Sequence, residues 1–268
     1  YVTDDGSETG KPIPAVVRYF NYLVGLCQGD FGIYGVGTGH KVVDLIAPAL
    51  PVTLQLTFFG LIIAVLISFP LGVIAALYRD RWPDQVFRVL SVVFIGTPSF
   101  WLAALLVLLG LSLGHGELVA GGLPGITEDF GGWVTRMILP ALALATPVIG
   151  QMTRVVRTSV VEELDRDYVR TALGAGIPRP VVIARNVLRN ALITPVTVLG
   201  LRVGYLMGGA VVIEIIFGLQ GMGKVLVQGV QQSQVEVVQA AALVVALAFI
   251  VVNIVVDMLY LLINPRIR

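Results

Sequence analysis

The sequence predicts an all-α, polytopic membrane protein. Three observations carry that prediction. Of its 268 residues 56% are hydrophobic and only 13% charged, with a mean hydropathy of +0.89. The apolar residues gather into five long runs almost free of charge, and the remaining charges are sorted by sign between alternate connections. Soluble domains carry about 25% charged residues, so this chain holds too little charge to cover a soluble surface. A net charge of +1 provides no basic stripe for nucleic acid. The single Cys27 makes no internal disulfide or zinc site, and His40 and His115 stand far apart among glycines, which disfavours a metal centre.

Residues 1–46 form a mixed polar segment, with Asp4, Asp5, Glu8, Asp30 and Asp44 set against Lys11, Arg18 and Lys41. Its start lacks the basic-then-apolar pattern of a signal peptide. A helix crossing a hydrocarbon core needs about 20 apolar residues. No side chain from 45 to 78 is charged, and 53–77 reads as the first span. Residues 89–113, between Arg88 and Glu117, read as the second. The third, 137–153, is bounded by Arg136 and Arg154; the fourth, 191–213, is interrupted only by Arg202; the fifth, 237–263, carries Asp257 near its end. Each run is apolar all round, unlike a one-sided soluble helix. Pro70, Pro98, Pro140, Pro147 and Pro195 lie inside them. Proline removes a backbone hydrogen bond that neighbouring helices or a cavity must re-satisfy, which suits a packed transporter better than a simple anchor.

The connections set the orientation. Arg79, Arg81 and Arg88 lie between spans one and two, and Arg154, Arg157, Arg166, Arg170, Arg179, Arg185 and Arg189 between three and four, while the chain ends in Arg266 and Arg268. The alternate connections are acidic or nearly neutral, with Glu117, Glu128 and Asp129 in one and Glu214, Lys224 and Glu236 in another. Cytoplasmic loops gather Lys and Arg, which places the N-terminus outside and the C-terminus in the cytoplasm. The simplest account of an external N-terminal segment is a sixth span, expected upstream of Tyr1.

The connection after span three, DRDYVRTALGAGIPRPVVIARNVLRNAL, reads as a helix over 167–173, a Gly-Ala-Gly turn, and a second helix leading into span four. On charge alone it reads equally well as a solvated topological anchor or as a functional element. Its residues resemble the coupling loop of ABC importer permeases, whose motif runs Glu-Ala-Ala, three residues, then Gly. Arg170, Thr171 and Ala172 take the triplet positions and Gly176 the glycine. The departure at Arg170 is usual in the dipeptide, oligopeptide and nickel branch, where DYVRTA followed by LRNAL is characteristic. GDFG at 29–32, PVTLQLTFFGLIIAVLISFPLG from 51, GTPSFWLA at 96–103, ILPALALA at 138–145, GYLMGGAVVIE at 204–214 and the ending VDMLYLLINPRIR are similar to that branch in order and spacing. Gln220 stands where the family has a proline, leaving Leu219 free of the restriction that proline imposes on its predecessor.

The resemblance implies the B-type permease, a type I ABC importer transmembrane domain over 47–264 with its coupling loop at about 158–189, following an extracytoplasmic segment at 1–46. It implies a multi-pass protein of a prokaryotic inner membrane, in contact with lipid, that forms half of a translocation pore for di- or oligopeptides. It implies a homologous second permease, two cytosolic ATPases that bind the ATP and magnesium, and an extracytoplasmic solute-binding protein; this chain would bind no cofactor and catalyse nothing itself. Asp167, Tyr168, Arg170, Thr171, Ala172 and Gly176 are the ATPase-coupling residues it points to. Arg202 reads either as a pathway charge attracting a peptide carboxylate or carbonyl, or as a structural ion pair with Asp257 or a partner's acid. Glu214 and Asp257 read as interfacial or helix-pairing groups.

Three alternatives stand beside this reading. A nickel or other small-solute permease of the same family shares every motif named. A stand-alone secondary transporter is disfavoured by the single intramembrane Arg and the absence of paired broken half-helices, and an intramembrane hydrolase by the absence of nucleophile-elbow spacing. The stretch 218–224 also reads G-x-x-x-x-G-K, but Val225 follows where a P-loop needs a hydroxyl for magnesium, and the loop faces outward.

Overall fold

The computed structural model describes residues 14–34, 39–119 and 122–263. Asp4, Asp5, Glu8, Lys11, Arg266 and Arg268, and the side chains of Arg18, Cys27 and Asp257, lie outside the described residues. Helix α1 (Ala15–Cys27) is followed by a two-residue antiparallel pair, β1 (Ile33–Tyr34) with β2 (His40–Lys41), in the register Ile33 to Lys41. The bundle proper comprises α2 (Val43–Leu77), α3 (Trp82–Gly96), α4 (Ser99–Ser112), α5 (Phe130–Leu164), α9 (Ile193–Phe217) and α11 (Val235–Ile263). Short helices α6 (Asp167–Gly174), α7 (Arg179–Val182) and α8 (Leu188–Ala191) form the connection between α5 and α9, and α10 (Met222–Gln231) that between α9 and α11. Helices α2, α5, α9 and α11 are each long and apolar enough to cross a membrane.

The second span differs from the continuous helix read over 89–113. It is broken between α3 and α4, whose axes are bent by 95°. Thr97 is extended (φ −84°, ψ 115°) because it precedes Pro98, whose ring disfavours helical backbone at the residue before it. The third span also exceeds its charge-free run, extending from Phe130 to Leu164 as α5. Arg136 near its start reaches the Gly122 carbonyl, and Arg157 near its end is taken up by Asp84, so both charges are accommodated inside a longer helix. Asp129 caps that helix by accepting from the Gly132 amide at 2.9 Å.

Helix α5 is the centre of the bundle, buried almost continuously from Pro140 to Gly150. Against it lies a seam of small residues on α2, including Thr57, Gly60, Ala64, Ser68 and Gly72, spaced three or four apart. Small residues let transmembrane backbones approach closely; a Cβ on Gly72 would stand 2.6 Å from Val156 of α5. Apolar packing forms three layers. The middle one is built on Leu56, Leu144, Met152 and Leu206, and one end on Val42, Ile46, Met222 and Val237. The opposite end is built on Ala76, Val156, Val160, Val169, Val182 and Val187. That last layer carries the connection whose motif the sequence singled out.

Candidate functional site

Helix α6 opens with Asp167 in its first turn, a favourable place for a negative charge. It closes as a Schellman motif, the Gly176 amide donating to the Leu173 carbonyl and the Ile177 amide to that of Ala172. The position after the helix must be left-handed, and Gly176 has φ +83°. Val169 turns inward with Val182 and Val187 onto the ends of α2 and α5, and Tyr168 and Ala172 are half-buried against the same layer. Asp167, Arg170 and Thr171 are exposed on the other side, next to partly exposed Leu173, Ile177 and Val181. The sequence-predicted residues thus share one short helix and its turn, with Arg170 and Thr171 presented outward.

Two polar groups fasten this platform. Glu163, near the end of α5, accepts from the Tyr168 hydroxyl at 2.9 Å and from Asn190 Nδ2 at 3.2 Å, joining α5, α6 and α8. Burial, reinforced by the Glu163 carboxylate, pushes the Tyr168 phenol up from its ordinary pKa. Asp84, fully buried at the start of α3, receives Arg157 Nε at 2.5 Å and Nη2 at 2.6 Å, Arg88 Nη2 at 3.0 Å and the Asp80 amide at 3.0 Å. A carboxylate so buried is tolerated only when its lone pairs are filled, as they are here. Arg79 bridges to Asp165 at 2.9 Å, tying the α2–α3 turn to the end of α5. Sequence reading missed Asp84 and Glu163. The available signal was two acids, Asp80 and Asp84, among the arginines of 79–88; the Arg157 that pairs with Asp84 lies 73 positions away.

Arg202 is half-buried on α9, with its Nε buried and without a hydrogen-bond partner among the described residues. Gly200 and Gly204 receive Val256 and Phe249 of α11. Arg202, two residues from each, falls on the other side of α9, since successive residues turn by about 100°. Along the same helix Leu201, Tyr205, Val212 and Ile215 form an exposed stripe.

At the opposite end Glu214 is fully buried. Its Oε2 accepts from the Gly223 amide at 2.8 Å, while the Thr53 hydroxyl accepts from the Met222 amide at 2.9 Å. Together they satisfy the first two amides of α10, groups that a helix leaves unpaired. Gly218 ends α9 in the left-handed region (φ +68°), and Gly221 abuts the Glu214 carboxyl so closely that no side chain fits between them. The turn bearing Gln220 is therefore pinned from α2 and α9 without the family proline. Among the described residues no three His, Cys, Asp or Glu side chains converge to hold a metal ion.

Comparison with known proteins gives the following. Residues 68–268 match the family described as "Binding-protein-dependent transport system inner membrane component". The chain is 36% identical to the probable D,D-dipeptide transport system permease protein DdpB of Escherichia coli K12, over 97% of this chain and 82% of that protein. It is 38% identical to the glutathione transport system permease protein GsiC of the same strain, with the same coverage. Two solved structures share the fold, each with a TM-score of 0.59. One is an amino acid ABC transporter crystallised with histidines, at 18% identity over 84% of this chain and 94% of that one. The other is the MetNI methionine ABC transporter in an inward-facing conformation, at 14% identity over 82% and 96%.

Proposed function

The chain belongs to the family of binding-protein-dependent transport system inner membrane components and is a permease subunit of an ABC importer; from that premise we propose that it forms half of a pore for short peptides and that α6 with its turn transmits the ATPase stroke. The substrate class follows from relatives that carry a D,D-dipeptide and glutathione, both small peptides. The partners proposed are a homologous second permease, two cytosolic ATPases and an extracytoplasmic binding protein. ATP and magnesium belong to the ATPases. The exposed stripe of α9 faces the second permease or the pathway, with Arg202 beside it as a charge for the peptide.

The observation that carries the coupling role is the two-sidedness of α6. Its inner side is locked to α2 and α5 through Val169 and the Glu163–Tyr168 bond, while Arg170 and Thr171 are exposed at its outer side. A force applied to the outer side is therefore delivered to two spans. In this arrangement the end of the bundle bearing Asp84, Glu163 and α6 faces the cytoplasm and the end bearing α10 faces outward.

The test is reconstitution of the five-protein importer with Gly176→Val. Valine at φ +83° costs about 1–2 kcal/mol and distorts the turn, outside every span. Membrane insertion and copurification of the second permease should persist, while peptide-stimulated ATP hydrolysis and uptake fall by about tenfold, the factor that 1.4 kcal/mol represents. Wild-type uptake and stimulation in this variant would remove the coupling assignment. Transport by the chain alone on an ion gradient would remove the ATP-driven reading for this protein.

A further inference from the structure

We propose that the cleft between the α2–α3 turn and the α6–α7 connection binds the phosphate headgroup of an anionic phospholipid. The cleft measures about 710 Å3 and is lined by the last turn of α2, the end of α5, the inner side of α6 and the start of α7. Three arginines, Arg79, Arg81 and Arg179, line it against one aspartate, Asp165. Arg79 is committed to Asp165 and Asp80, at 2.9 and 3.5 Å. Arg81 and Arg179 have no acidic partner among the described residues. Two free guanidinium groups from separate elements, opening on one cleft, are suited to a bidentate oxyanion such as phosphate.

The surroundings favour a lipid over a soluble anion. Between the arginines the walls are apolar, with Leu77, Val161, Leu164 and Ile183, which would offer a surface to the glycerol and first acyl carbons. Leu77 and Tyr78 close the charge-free run of α2 just before Arg79, so the cleft opens where the apolar run gives way to charge. Tyr78 and Trp82 flank Arg79 and Arg81 in the α2–α3 turn, 47% and 77% exposed, and such aromatic residues are enriched at membrane interfaces. Basic pockets between transmembrane helices are fitted to acidic headgroups by the same chemistry. Bound there, one headgroup would join the end of α2 to α7 and brace the connection that includes α6. The site depends only on the bundle lying in a membrane, so it stands or falls separately from the coupling role and from the solute.

The experiment uses the assembled complex in a neutral detergent, titrated with phosphatidylglycerol in mixed micelles and read by native mass spectrometry and thermal melting. Wild-type complex should retain phosphatidylglycerol, over phosphatidylcholine, and melt at higher temperature with it. The double variant Arg81→Gln/Arg179→Gln should bind phosphatidylglycerol about thirtyfold more weakly, as loss of two arginines near an anionic surface implies. Arg185→Gln/Arg189→Gln, which removes the same charge from exposed positions away from the cleft, should bind as wild type. Arg81→Lys/Arg179→Lys, which keeps the charge, should recover part of the affinity and guards against a folding defect. Equal phosphatidylglycerol binding by the Gln pair and wild type would overturn the site. So would equal competition by inorganic phosphate, which would make it a soluble-anion site. So would loss of copurifying ATPase subunits in the Gln pair with lipid binding unchanged, which would make the cleft a protein-docking surface.

Discussion

Asp84 shows how much of the inner end rests on single side chains. Its carboxylate is removed from water and repaid by a two-pronged contact from Arg157, whose side chain is 21% exposed. Arg88, 46% exposed, adds the smaller share of a solvated pair. Asp84→Asn leaves the Arg157 charge without its counter-ion, a change that costs about 3 kcal/mol in a buried pair. The expected result is a clearly lower melting temperature of the purified subunit, and an unchanged one would show that the pair is dispensable. At the other end Glu214 holds α10 through the Gly223 amide. Glu214→Gln keeps an acceptor there, whereas Glu214→Ala removes it at a cost of about 1–2 kcal/mol, the value of a helix cap. Hydrogen exchange over residues 218–231 should therefore quicken in the Ala variant and stay near wild type in the Gln variant; equal exchange in both would separate α10 from Glu214. Neither role was legible in the sequence. Asp84 went unassigned among the arginines of 79–88 and Glu214 read as an interfacial or helix-pairing group, because the partners that define them are on other elements.

At the scale of elements, charge-free length located the four membrane-long helices but read the bent α3–α4 pair as one helix and misjudged where helices stop. Arg136 and Arg154 appeared to bound the third span, yet α5 runs past both: Arg136 finds the Gly122 carbonyl in the preceding connection and Arg157 finds Asp84 of α3. By contrast the end of α6 was legible, since only glycine suits the left-handed residue its closing motif requires. Pro98 lay in plain view, but uninterrupted apolarity from 89 to 113 argued for one helix. The two pieces contain 15 and 14 residues, about 21–23 Å each at 1.5 Å per residue, so neither alone crosses a hydrocarbon core of about 30 Å. If the proline sets the bend, Pro98→Ala restores an amide donor and helical freedom at Thr97. Spin labels at Gln85 and Leu108 should then move apart by about 5 Å or more, from the rise per residue along a straighter path. An unchanged distance would assign the bend to the packing of α3 on α5, where a Cβ on Gly150 would stand 2.7 Å from the Ser91 carbonyl.

On the scale of the whole molecule, the sorting of arginines along the sequence and the layering of the bundle describe one polarity. The layer built on Val156, Val169 and Val187 lies at the end where Arg79, Arg81, Arg179, Arg185 and Arg189 gather. The layer built on Val42, Met222 and Val237 lies at the end with the β1–β2 pair and α10. Because basic loops are retained in the cytoplasm, the first end should be inside and the second outside. Single cysteines on a Cys27→Ser background test this, since the chain has no other cysteine. Gly125 and Gln231 are exposed at one end, Gln85 and Pro178 at the other; Asp84 would serve poorly because it is buried. Cysteines at Gly125 and Gln231 should react with a membrane-impermeant thiol reagent in intact cells. Those at Gln85 and Pro178 should react only after permeabilisation. Labelling of Pro178→Cys in intact cells would invert the molecule, putting α6 on the side without ATP and the platform held by Asp84 and Glu163 out of reach of any cytosolic ATPase.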